Sequence, residues 1–189
     1  MTSLEIKRQL FHLIFSIILV ILIYLDIVGP VVLSSVLIIG LVLSYLSIEH
    51  KLPAISWLLN VFERDNVNFP GEGAFYLILG ITIVVLFFPL NIALASIMIL
   101  ALGDSFANLL GRAYGKKPFA HKTLVGTTAG IFFGFWGAMI FVEPLVALLG
   151  SGITMLLEAF NLKVLNIKID DNLFIPVVAS IIMYVWVML

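Results

Sequence analysis

An aspartate, Asp104, stands inside an apolar run in "ILALGDSFANLLGRAYGKKPFAHKT" (residues 99–123). Four of the chain's ten Lys and Arg residues (Arg112, Lys116, Lys117 and Lys122) follow it within eighteen positions. An ionised carboxylate at lipid depth costs about 2.5–3.5 kcal/mol even on lenient insertion scales, so such a residue needs a partner. A cation in a water-filled pocket is one; the alternative is a break at Gly103, with Asp104 capping the segment "SFANLL". Asn108 lies one turn further on. Gly111 and Gly115 permit turns and close backbone approach, and the basic residues beside them supply donors for phosphate. Lys116 and Lys117 serve equally well as an anchor to anionic headgroups. Lys122 and Thr123 differ, because they stand directly before "LVGTTAG", where a helix start presents free N–H groups and a positive dipole end to an anion. Thr123, Thr127 and Thr128 add hydroxyls, and Gly126 allows close approach. The parts are those of a phosphate-binding loop without Walker A spacing.

Three further groups carry polar chemistry. In "IKIDDNLFIP" (167–176), Asp170, Asp171 and Asn172 suit a helix cap, or a Mg²⁺ site completed by substrate phosphates. In "EIKRQLFHLIF", Glu5, Arg8 and His12 share one helical face at spacings of three and four, with Lys7 adjacent. Glu72 opens an apolar segment, where a first-turn carboxylate favours the helix dipole.

The elements that must position these residues are set by a chain that is 62% hydrophobic and 11% charged, with a mean hydropathy of +1.22. So apolar a chain of 189 residues has lipid as its solvent, and the expected fold class is an all-α, polytopic transmembrane bundle. With no cysteine, disulfides and thiolate metal sites are excluded. Seven apolar segments are expected to span: 10–25, 31–48, 74–88, 92–110, 125–142, 145–160 and 173–189. Several fall short of the roughly 20 residues a perpendicular span needs. The sixth, interrupted by Gly150 and Gly152, is the least regular. With seven spans, Lys7 and Arg8, Lys51 and Arg64, the four residues 112–122, and Lys163 and Lys168 all fall on one side. The positive-inside rule makes that side cytoplasmic and places the N-terminus there. About thirteen residues of span four precede Asp104, a rise of roughly 20 Å, which leaves the acid about 10 Å below the cytoplasmic surface. The chain reads as a single domain (1–189) with an interfacial loop, 49–73, whose residues 55–62 form a short surface helix, and a nucleotide-binding loop, 103–128. Gly126, Gly130 and Gly134 make a small-residue face suited to helix contact, including contact with a second copy.

Metal, cationic phosphate donors and little covalent chemistry by the protein make up the inventory of phosphoryl transfer. With these residues assembled, "GDSFANLLGRAYGKKPFAHKTLVGTTAG" resembles the signature of the dolichol kinase, phytol kinase and CTP-dependent diacylglycerol kinase family. Its form is approximately D-x-x-A-x-x-x-G-[RK]-x-[FY]-G followed by K-T-x-x-G-[ST]-x-[AG]. Asp104, Ala107, Gly111, Arg112, Tyr114 and Gly115 match the first half; Lys122, Thr123, Gly126, Thr127 and Ala129 match the second. "EIKRQLFH" is similar to the family's N-terminal E-x-x-R-K-x-x-H, with the basic pair at Lys7 and Arg8 and Gln9 after it. "DDNLFIP" resembles its D-D-N-x-x-[IV]-P.

The resemblance implies a minimal member of the family and CTP as phosphoryl donor; the residues alone imply only nucleotide phosphate. It gives added weight to Glu5, His12 and Asp171. The expected activity is transfer of the γ-phosphoryl group to a lipid alcohol (dolichol, phytol, geranylgeraniol or diacylglycerol) at the cytoplasmic face. Asp104 would bind Mg²⁺ or act as general base, and Asp171 would assist the metal. Lys122, Thr123, Arg112 and the start of span five would hold the triphosphate. No nucleic-acid partner is expected. The alternatives are a cytidylyltransferase making a CDP-lipid, and a transporter or binding protein for an anionic lipid or solute.

Overall fold

The computed structural model describes residues 3–49, 53–63, 67–160, 163–164 and 167–189. Lys51 and Arg64, two of the basic residues used in the orientation argument, lie outside the described residues. The protein is helical apart from two short hairpins. In order come α1 (Ser3–Tyr24), α2 (Pro30–Glu49), α3 (Pro53–Phe62) and α4 (Glu72–Phe87). A continuous helix follows, made of α5 (Leu90–Met98), a π-helical segment (Ile99–Asp104) and α6 (Ser105–Tyr114). After the hairpin β1–β2 (Pro118–Phe119, Lys122–Thr123) come α7 (Leu124–Ala138), α8 (Pro144–Ala159), the hairpin β3–β4 (Lys163–Val164, Ile167–Lys168) and α9 (Asp171–Met188).

Each of the seven apolar segments is a helix, and residues 53–62 form the expected short helix. Four helices are long and apolar enough to cross a membrane: Glu5–Tyr24, Pro30–Ile48, Leu90–Tyr114 and Asp171–Met188. The other three, α4, α7 and α8, have 16, 15 and 16 residues. Leu90–Tyr114 is the axis of the bundle, with 78% of its most apolar stretch buried, against 6% for α2. Ile97, Ile99, Leu100 and Ala101 of this axis are fully buried. Helices α1, α4, α7, α8 and α9 pack around it, and α2 lies outside against α4.

Apolar side chains gain nothing by leaving lipid for another helix, so the bundle is held by close contact and by interhelical hydrogen bonds. Gly103 does not break the axis. A Cβ there would lie 3.2 Å from the Gly130 carbonyl oxygen and 3.2 Å from Met155 Sδ, so this glycine lets α7 and α8 approach closely. The Gly126–Gly130–Gly134 face is used in the same way inside the chain. Gly126 sits against Ala107 and Gly111, Gly130 against Ala107 and Met155, and Gly134 against Ser151, so the face is not turned outward to a second copy. Ser151 Oγ donates to the Ile131 carbonyl (2.8 Å), and Asn172 Nδ2 donates from α9 to Gly73 O of α4 (3.0 Å). Bonds of this kind contribute about 0.6 kcal/mol each. The sixth segment is unbroken: Gly150 packs on Met183, and Gly152 faces open space.

Candidate active site

Asp104 ends the π-helical segment and is 5% exposed. Its backbone is helical and its side chain makes no cap bond, so capping does not account for it. One helical turn later, Asn108 Nδ2 donates to Asp104 Oδ1 (2.8 Å). Lys122 reaches the same place from the hairpin. Its Nζ donates to Asn108 Oδ1 (3.1 Å) and lies 3.8 Å from Asp104 Oδ1.

The hairpin brings Lys122 there through local and tertiary ties. Ala120, at its turn, takes a left-handed backbone (φ 51°), a conformation that costs an alanine about 1–2 kcal/mol and so needs outside support. His121 N–H supplies some, donating to the Ala159 carbonyl at the end of α8 (2.9 Å). Phe119 adds an edge contact to Phe160, with centroids 5.8 Å apart. Both ties seat the hairpin on the end of α8, which carries Glu158.

Glu158 is 4% exposed and forms an ion pair with Lys122. With Asp171, at the start of α9, it completes a cluster in which one oxygen each of Asp104, Glu158 and Asp171 lies within 4.8 Å of the others. Glu158 was not among the residues singled out by sequence. The signal was present in "TMLLEAF", an acid inside an apolar span, which is the criterion that selected Asp104.

Three carboxylates against one lysine leave an excess of two negative charges in a largely buried place. Excess charge of this kind calls for neutralisation. Among the described residues, the buried Glu158 Oε2 accepts no hydrogen bond. Hard oxygen donors with this excess fit a Mg²⁺ ion, which takes one or two carboxylates and substrate phosphates. Burial, the largest single influence, presses the Lys122 ammonium to give up its proton. Attraction to Asp104, then to Glu158 and Asp171, outweighs it and holds the pKa above the ordinary 10.5.

Other candidates fall into separate groups. Thr123 is the N-cap of α7, accepting from Gly126 N–H (3.1 Å), and its hydroxyl lies 3.4 Å from the Gly111 carbonyl, joining the end of α6 to the start of α7. Thr127 is buried and its hydroxyl has no partner among the described residues, while Thr128 is exposed and bonds back to Leu124 O (2.9 Å). Lys7, Lys116 and Lys117 are exposed on the surface. Asp170 is the N-cap of α9, accepting from Asn172 N–H (3.0 Å). Glu72 accepts from the backbone and side chain of Asn68 (2.9 and 2.7 Å) at the entrance of α4.

The N-terminal face assembles as its spacing predicts, with additions from elsewhere. Glu5 is 6% exposed, and its Oε1 receives Arg8 Nη2 (2.7 Å) and Gln9 Nε2 (3.2 Å) from its own helix. Arg112 Nη2 approaches the same oxygen from α6 at 3.4 Å, with its side chain 54% exposed. Arg8 and His12 also line a cavity of about 640 Å³ among α1, α2 and α4, whose wall includes Asp104, Asp170, Asn172 and Glu72. Most of its remaining lining is apolar. The carboxylate–lysine cluster therefore has Asp104 in common with an apolar chamber.

No protein-family model matches this chain, and no solved structure matches it. Over 183 residues, covering 94% of this chain and 92% of the relative, it is 29% identical to an uncharacterised protein of Methanocaldococcus jannaschii. Over 161 residues, covering 72% of each protein, it is 28% identical to CTP-dependent diacylglycerol kinase 1 of Schizosaccharomyces pombe.

Proposed function

We propose that this protein is a multi-pass membrane kinase that transfers the γ-phosphoryl group of CTP to the hydroxyl of a lipid alcohol at the cytoplasmic face. The observation that carries this reading is the shared Asp104, which belongs both to the charged cluster with Lys122 and to the apolar cavity. A lipid kinase needs that junction, because its donor is a polyanion and its acceptor is a membrane solute. Similarity to a CTP-dependent diacylglycerol kinase supports both the nucleotide and the reaction class. Seven spans with the N-terminus in the cytoplasm place all ten basic residues on the side where nucleotide is found.

The hydroxyl oxygen forms a bond to Pγ as the Pγ–O bond to the β-phosphate breaks, the hydroxyl proton leaves, and CDP departs. Asp104 is the group placed to hold that hydroxyl or take its proton. Lys122 presents an ammonium that stays charged, and Arg112, half exposed beside Glu5, supplies a second cation to the phosphates. Mg²⁺, when held by Asp104, Glu158 and Asp171, supplies charge neutralisation for the triphosphate.

The test is purified full-length protein in detergent or vesicles, given CTP labelled at either the α or the γ position together with a set of lipid alcohols and lipid phosphates. γ-Label in the lipid with CDP released is the expected result. α-Label in the lipid with pyrophosphate released would mean cytidylyl transfer instead. No label in any lipid, with solute accumulating in vesicles, would mean a transporter.

A further inference from the structure

We propose that the cavity among α1, α2 and α4 is the acceptor site and that it takes a single apolar chain, so the substrate is a long single-tailed alcohol and not a two-tailed glyceride. The inference rests on the kinase reading and adds to it the shape of the acceptor. At roughly 30 Å³ per close-packed heavy atom, the cavity's 640 Å³ holds about twenty atoms. That matches one chain of about twenty carbons with its hydroxyl. A glycerol backbone with two long acyl chains has about twice as many atoms.

The lining is graded as such a ligand requires. Asp104, Arg8, His12, Asp170 and Asn172 supply the polar positions, and Leu37, Leu41, Phe15 and Leu77 the apolar ones. Helix α2 forms the wall nearest lipid. Leu33, Leu37, Gly40, Ser44 and Ser47 follow one another at spacings of four, three, four and three, and so share one helical face. That face is turned inward: Leu33 is 1% exposed, and Ser44 Oγ donates to the Pro70 carbonyl across the chamber's rim (2.6 Å). Gly40 lies in the middle of it, lines the cavity, and has nothing within 4 Å of where a Cβ would stand. The missing side chain is a notch in an otherwise bulky wall, one chain wide. A diglyceride would have to lodge its second chain against Leu37 and Ser44, where the wall closes.

Two measurements on the full-length protein test this. The first compares turnover of geranylgeraniol, 1,2-dioleoylglycerol and the five-carbon alcohol 3-methylbut-2-en-1-ol by wild type and Gly40→Phe. We expect geranylgeraniol to be preferred to dioleoylglycerol by at least tenfold in kcat/KM. In Gly40→Phe the ratio of kcat/KM for geranylgeraniol to that for the five-carbon alcohol should fall at least tenfold. Preference for the diglyceride, or an unchanged ratio in the variant, overturns the inference while the kinase reading stands. The second needs no turnover: a long-chain alcohol bearing a diazirine at mid-chain is photolysed with the protein. Its label should fall within residues 36–47 and be displaced by geranylgeraniol more readily than by dioleoylglycerol. Label elsewhere overturns the acceptor site. Label at residues 36–47 in a protein that phosphorylates nothing would keep the site and remove the kinase reading.

Discussion

Replacing Asp104 by asparagine should separate activity from folding, with a sign set by the charge cluster. At an effective dielectric constant of about 20, two unit charges no more than 4.8 Å apart repel by at least about 3.5 kcal/mol. Asp104 takes part in two such pairs, for about 7 kcal/mol. Its attraction to Lys122 at 3.8 Å returns about 4.4 kcal/mol on the same scale. The amide oxygen of the variant still accepts from Asn108, so that bond survives. In a chelator, Asp104→Asn should therefore be more stable than wild type by about 2.5 kcal/mol. For a chain of this size that is a rise in Tm of about 5–10 °C. Adding Mg²⁺ should stabilise wild type more than the variant and narrow or reverse the gap. Turnover in the variant should fall by about 10²–10³-fold or more, because a group aimed at the reacting centre is lost. Thermal melting in detergent with EDTA or Mg²⁺, run beside the γ-label assay, reads both effects. A variant that melts well below wild type in EDTA would show that the carboxylate anchors the fold and that the charge sum is wrong. Near-normal turnover would remove Asp104 from the chemistry altogether.

Lys122→Ala should lower turnover at least a hundredfold, whereas exposed Lys117→Ala should stay within about twofold, as rate assays on the pair would show. Because the Lys122 pKa is raised in the folded protein, the stability it contributes is fully present below the ordinary 10.5 and is lost only as pH rises through the higher folded value. The difference in melting between wild type and Lys122→Met should thus be flat from neutral pH to about 10 and shrink beyond it. Glu5→Gln should weaken the tether between α1 and Arg112 and raise the KM for nucleotide by roughly tenfold, with little change in the KM for the alcohol. Gly126→Ala, whose new methyl would stand 2.8 Å from the Ala107 carbonyl oxygen, should destabilise by about 1–3 kcal/mol. Gly152→Ala, with open space around it, should change melting by less than about 0.5 kcal/mol.

The helices were legible in the sequence because lipid demands long uninterrupted apolar runs, and turns such as "PLN" and "DIVGP" separate them without ambiguity. Asp104, Asn108 and Lys122 were legible for a related reason: charge is costly in such a setting, so each charged residue marks itself. Glu158 marked itself equally and was passed over, because it falls in the last turn of an apolar span with no second polar residue beside it in the chain. Its partners, Lys122 and Asp171, are brought to it only by the packing of α8 against α7 and α9 and by the His121–Ala159 bond. The same reason hid the role of the glycine face on α7. A row of small residues specifies close approach without saying to what, and here Ala107, Met155 and Ser151 of the same chain fill it. Thr123 reads equally well as cap or ligand until the Gly126 N–H is seen to occupy its oxygen. The cavity has no sequence signature, since its walls come from three helices separated in the chain and its notch from a glycine in an ordinary apolar run.

The π-helical stretch ahead of Asp104 has a consequence for how the chain tolerates changes in length. A π turn is what one surplus residue makes of an α-helix, absorbed locally while the flanking turns keep their seats. Excising one residue between Ile99 and Leu102 would let this stretch wind as ordinary α-helix, with α5 and α6 still in register with their neighbours. The bundle would assemble, and Asp104 would enter it from a regular turn, aimed differently at Glu158, Asp171 and the chamber. Within this helix the count of residues is therefore a functional variable in its own right: the architecture accepts one fewer, and the alignment of the acid does not.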